Sequence, residues 1–240
     1  MSGRFPAPDV DNQPPKDDPQ RHRTEVAEIG RACGMLEPMN RLRIAQDEMA
    51  DDVLSRDSFA LLTGMLLDQQ FPMERAFAGP AKVLHRFGTL KPSEIAAADP
   101  EAFATLCAAA PAVHRYPGSM AARIQALAGH VVAEYDGDAS RVWLEASSGQ
   151  DLLRRLLALP GFGKQKAQIF VALLGKQLDV RPDGWSQVAG DYAEAGAYRS
   201  VADVIDAESL EKVRSFKKQK KAAARETTGS GLESDAAVSQ

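Results

Sequence analysis

Leu159-Pro160-Gly161-Phe162-Gly163-Lys164-Gln165-Lys166-Ala167 is the stretch from which the fold of this chain can be read. Before it, Leu152, Leu153, Leu156 and Leu157 recur at helical spacing; after it, Ala167, Phe170, Val171 and Leu174 do the same. Only Pro160 to Gly163 separates the two apolar stripes, so the pattern predicts an antiparallel helical hairpin over about 150–175. Gly161 and Gly163 permit close backbone approach and positive φ. The N–H groups of Gly163 to Gln165 then open a helix, where unpaired donors and the helix dipole favour an anion such as phosphate. Lys164 and Lys166 add positive charge beside them. Gly and Pro also punctuate ordinary helix connections, so the turn alone leaves both readings open. A nucleotide P-loop does not fit: G-x-x-x-x-G-K-[ST] would require Gly at Ala158 and Ser or Thr at Gln165.

Outward from the hairpin the chain reads as helix. It has 240 residues, 44% apolar and only 6% aromatic, and its Ala and Leu content favours helices over sheets; the fold class expected is all-α. Ser58 is predicted to cap a helix through Phe59, Leu61, Leu62, Met65 and Leu66, ending near Gln70. A helix from Pro72 to Phe87 stops at Gly88, Thr89–Asp99 forms a short one, and Pro100 starts another. Pro111–Pro117 reads as a loop, followed by a helix capped by Ser119 with Met120, Ile124, Leu127, Ala128 and Val131 on its apolar face. Gly137–Gly149 is an irregular connector, and short helices fill the region around 186–215. No convincing period-2 strand appears. The folded domain is placed at 41–215. Residues 1–40 form an extension, Pro-rich and disordered to about residue 23 and weakly helical after it; 216–240 is a disordered tail opening on Lys217-Lys218-Gln219-Lys220-Lys221.

The net charge of −4 excludes a globally basic coat, so contact with a polyanion is confined to one face or tail. Cys33 and Cys107 cannot supply a disulfide framework or a four-cysteine metal site, and they fit a reduced, cytoplasmic compartment. No apolar run is long enough to span a membrane. His85, His114 and His130 lack metal-ligand spacing and read as surface residues; Trp185 reads as core.

Asp183, in Val180-Arg181-Pro182-Asp183-Gly184-Trp185, stands eighteen residues beyond Gln165. Pro-Asp-Gly is an ordinary cap or turn, and a capping Asp is also one held in place. L-P-G-F-G-x-x-x-A followed by an Asp at this spacing resembles the helix-hairpin-helix–GPD DNA glycosylases, represented by endonuclease III and the adenine glycosylases. Leu66-Leu67-Asp68-Gln69-Gln70 is similar to the family's L-L-S-x-Q segment, and Arg115-Tyr116-Pro117 through Ile124 to its lesion-side loop and following helix; the resemblance covers roughly 55–200.

The resemblance implies an all-α, two-lobed fold with a DNA-binding cleft between lobes and a target base flipped out of the duplex, as base chemistry requires. Pro160, Gly161, Gly163, Lys164 and Lys166 would grip the phosphate backbone, in some members with a monovalent cation. Gln70 would fill the gap left by the flipped base, and Arg115 and Tyr116 would form the wedge and backbone contacts. Asp183 matches the catalytic aspartate, which stabilises the oxocarbenium-like sugar and orients water. Bifunctional members carry at the position of Gln165 a Lys that forms a Schiff base. Lys164 and Lys166 flank it, but adjacent helical residues point about 100° apart, so a monofunctional enzyme without strong lyase activity is expected. The iron–sulfur cluster of many relatives is expected to be absent, because no Cys follows Cys107. The expected partner is lesion-containing double-stranded DNA, bound by a monomer that is nucleoid-associated when engaged. Two other readings stay open: a catalytically inactive helix-hairpin-helix DNA-binding protein, and a protein-interaction scaffold.

Overall fold

The computed structural model describes residues 41–233, with side chains described through residue 223. The readings for residues 1–40 and 234–240 lie outside the described residues. Among the described residues every regular element is helical.

A first group of helices comprises α1 (Glu48–Arg56), α2 (Ser58–Leu67), α3 (Met73–Phe77), α4 (Gly79–Phe87), α5 (Pro92–Ala97), α6 (Pro100–Ala108) and α7 (Pro117–Tyr135). Its axis is α2, where every residue from Phe59 to Leu67 is buried. A helix apolar all round can only sit inside a lobe, and α1, α3, α4 and α7 pack on it. Gly64 admits Phe77, since a Cβ at Gly64 would lie 2.6 Å from the Phe77 ring. The faces of α5 and α6 close on α7, and α4 meets α6 where Phe87 and Phe103 stand edge to face at 5.4 Å.

The second group comprises α8 (Arg141–Leu144), α9 (Gly149–Ala158), α10 (Lys164–Gln177), α11 (Trp185–Ala189), 3-10 turns at Gly190–Ala193 and Val201–Asp203, and α12 (Ala207–Glu233). Here α10 is the axis, buried from Ile169 through Gly175. The predicted hairpin is α9–α10, with Leu152, Leu156 and Phe170 fully buried between the helices. Leu157, expected on that apolar face, is instead 43% exposed. The buried phase runs Gly149, Leu152, Leu156, and Leu157, one position further on, points about 100° away from it. Trp185 is partly buried and lies flat against Gly175, where a Cβ would be 2.4 Å from its ring.

Several local expectations are revised. Asp57, not Ser58, caps α2: its carboxylate accepts the Ala60 N–H at 2.8 Å, leaving Ser58 as the first helical residue. α7 begins at Pro117, whose fixed φ suits a first turn, so Ser119 lies inside the helix. The 89–99 helix shrinks to α5, the 137–149 connector contains α8, and α10 runs past Leu174 to Gln177. Residues 216–233 belong to α12, not to an unstructured tail. Ala, Lys, Arg and Glu are good helix formers, and buried Leu210 and Val213 fix the start of the helix to the second lobe.

Candidate functional site

The hairpin turn is built by local rules. Leu159 is extended and 2% exposed, and its carbonyl accepts the Phe162 N–H at 3.1 Å. Gly161 follows at φ +83°, where an L side chain is strained. A Cβ there would also lie 2.4 Å from Leu66 Cδ1, so the backbone at Gly161 packs directly against α2. Gly163 caps α10 with no side-chain hydrogen bond. The first-turn N–H groups are therefore left without a side-chain acceptor, a helix end of the kind that favours an anion, with Lys164 exposed beside them.

Lys164 and Lys166 diverge. Lys166, expected to contact phosphate, points into the seam between the lobes and donates to the Leu66 carbonyl at 2.8 Å. Burial of its ammonium lowers its pKa to about 8, with Asp68 pulling the other way. The same Leu66 carbonyl accepts the Gln69 side-chain amide, also at 2.8 Å.

The segment after α2 is held tightly up to one residue. Gln69 accepts from Arg123 at 3.0 Å, and its backbone carbonyl receives the His114 ring nitrogen at 3.0 Å. His114 is 1% exposed rather than a surface residue. Its Nδ1 accepts the Tyr116 N–H at 3.1 Å, which assigns the proton to Nε2 and makes that nitrogen the donor to Gln69. Burial holds its pKa below the ordinary value. Gln70, at φ +52°, is left exposed on this anchored turn. Arg115 lies over the Tyr116 ring at 4.8 Å, and Tyr116 is 47% exposed, so this pair stands on the surface next to the His114 anchor.

Beside the first turn of α10 lies a cavity of about 330 Å³. Gln165, Gln168, Asp191, Tyr192, Arg199, Lys217 and Lys220 line it. The Gln165 amide donates to Tyr192 Oη at 3.0 Å, and Arg199 pairs with Asp191 at 3.3 Å and also with Glu194.

Asp183 is not in this cavity. Its backbone carbonyl accepts the Gly149 N–H at 2.7 Å, at the start of α9, and its side chain is exposed. Gly149 and Gly175 both touch Trp185, and Gly175 is ten residues along α10 from Gln165, an axial distance of about 15 Å. Because α10 extends to Gln177, the chain leaves it at the end remote from the turn, and α11 leads it back. That return brings Asp191 and Tyr192, rather than Asp183, to Gln165. Neither residue had a sequence signal beyond the flanking Gly190, which sits at φ +59°.

Among the described residues no group of three or more His, Cys, Asp or Glu is placed to hold a metal ion, and no helix is long and apolar enough to cross a membrane. No curated protein and no solved structure matches the chain. A family model described as HhH-GPD superfamily base excision DNA repair protein matches residues 63–232. With that match across most of its length, and a Gly161–Gly163 hairpin turn that opens an uncapped helix, the chain belongs to the HhH-GPD superfamily of base excision DNA repair proteins.

Proposed function

We propose that the chain is a monofunctional DNA glycosylase that hydrolyses the N-glycosidic bond of a damaged or mismatched base in duplex DNA. The observation that carries the reading is the cavity bordering the anion-binding end of α10. A nucleotide whose phosphate rests on that turn can rotate its base out of the stack and into the space beside Gln165, Asp191 and Tyr192. As the bond breaks, the base leaves with the electron pair and takes up a proton; water adds to the sugar carbon and loses one. A carboxylate near the sugar stabilises the developing positive charge and orients that water. We assign this role to Asp191, the carboxylate that lines the cavity, in place of Asp183.

Gln165 has no amine for a Schiff base, and Lys166 is committed to the Leu66 carbonyl. Borohydride should therefore trap no adduct through the hairpin residues, and an adduct through Lys217 or Lys220, which line the cavity, would overturn the monofunctional reading. An iron–sulfur cluster does not fit a chain whose cysteines are Cys33 and Cys107. The proposed unit is a cytoplasmic monomer that joins the nucleoid when engaged on DNA.

Single-turnover base release across alkylated, oxidised, deaminated and mismatched duplexes tests the reading. Asp191→Asn should slow release about 100-fold, in the range seen on removing one transition-state electrostatic contact, while Asp183→Asn leaves it near wild type. The reverse pattern returns the role to Asp183. A second reading, a DNA binder without chemistry, is favoured by the ion pair between Asp191 and Arg199 and by the closure of Gln165 on Tyr192. Salt-dependent binding without release of any base would select it.

A further inference from the structure

We infer that α12 carries a second phosphate-binding site, formed by Lys217 and Lys220 in the lining of the cavity that borders the hairpin turn, so that the DNA strand is held there by α12 as well as by the turn. The inference rests on the DNA reading above but not on catalysis.

Three observations support it. First, α12 is not a loose basic tail. Leu210 and Val213 are buried against the second lobe, and Arg214 pairs with Glu74 of α3 at 2.6 Å. The helix therefore spans both lobes and fixes where its next turn lies. Second, that turn places Lys217 and Lys220, three residues apart and so on one face, in the lining of the cavity that Gln165 also lines. Third, one positive charge there is uncompensated. Arg199 is neutralised by Asp191 and Glu194, and Lys217 pairs loosely with Asp68 at 3.6 Å and touches Met73 Sδ at 3.9 Å. Lys220 is exposed and makes no ion pair with the described residues.

The chain is acidic overall, with 29 basic against 33 acidic residues, so a local cationic face beside an anion-binding helix end marks where a polyanion sits. Lysine ammoniums on a helix are point charges suited to phosphate rather than to base edges. The partner is the DNA backbone, and sequence independence is expected.

The test measures binding of the full chain to an undamaged duplex by fluorescence anisotropy over a range of salt concentrations. Each phosphate contact contributes a slope of about 0.9 in log K against log[salt]. Lys220→Gln should lower the slope by about 0.9 and Lys217→Gln/Lys220→Gln by about 1.8, with unchanged melting of the Lys220 variant. Lys218→Gln removes the same charge from a side chain pointing about 100° away and should leave the slope near wild type. If Lys220→Gln leaves the slope unchanged, or Lys218→Gln lowers it equally, the site is overturned and the attraction is one of net charge. A wild-type chain without salt-dependent binding would instead overturn the DNA reading itself.

Discussion

Replacing Lys166 with methionine should change how the stability of this fold depends on pH. The side chain keeps its length and apolar stem but loses the ammonium that donates to the Leu66 carbonyl. Burial lowers the Lys166 pKa from an ordinary 10.5 to about 8. At 1.36 kcal/mol per pKa unit, that difference corresponds to at most about 3 kcal/mol. Below pH 8 both folded and unfolded chains hold the proton, and the fold bears the cost of the buried charge. Between pH 8 and 10.5 the unfolded chain still holds the proton and the folded chain has released it, so stability rises with pH in that window. The methionine variant has no such group. At neutral pH it gains by losing the charge, but it leaves the Leu66 carbonyl short of a donor, a loss of about 1–3 kcal/mol. Urea unfolding of both proteins from pH 7 to pH 10.5 isolates the effect, because every other titrating group cancels in the difference. Wild type minus variant should rise by up to about 3 kcal/mol across the window. A difference that stays flat would mean that the ammonium is hydrated and the seam between the lobes is open.

Three further outcomes follow from the geometry. Gly161→Ala should destabilise by at least about 1–2 kcal/mol in urea unfolding, because φ is +83° and the new Cβ meets Leu66; full stability would show that the turn is not as described. Gly149→Ala places a Cβ 2.5 Å from the Trp185 backbone nitrogen, which cannot swing aside. It should lower Tm by several degrees, about 2–4 °C for each kcal/mol lost in a chain of this size. His114 has a depressed pKa, so as pH falls below 6.5 the unfolded chain binds a proton that the folded chain resists, and stability drops. His114→Asn should lack that part of the acid sensitivity, read from unfolding midpoints between pH 5 and 7.5.

What the sequence made legible was local. Leu152, Leu156, Phe170 and Leu174 reveal the hairpin through spacing alone, and Gly161 marks its turn because few other residues adopt that φ. Where Asp183 lies relative to Gln165 was not legible, because distance along the chain is not distance in space. The residues after Gln177 leave Asp183 beside the start of α9 and bring Asp191 into the cavity that Gln165 lines. Lys164 and Lys166 are indistinguishable by type, and only the neighbouring lobe decides which is buried. His114 is buried by Gln69, forty-five residues away, a contact that no local pattern encodes. Asp57 and Ser58 are both competent caps, and an offset of one residue lies within what composition can resolve. The lysines of α12 read as a tail because their anchors, Leu210 and Val213, are few and lie upstream.

The Leu66 carbonyl has two lone pairs and both are taken, one by the Gln69 amide and one by the Lys166 ammonium. The hairpin and the turn that presents Gln70 are thus registered on a single oxygen atom. Sliding one lobe against the other would leave the buried ammonium without its acceptor, a cost that opposes a jaw-like motion. On the DNA reading proposed above, the spacing between the hairpin turn and Gln70 is therefore fixed, and the duplex must supply the deformation.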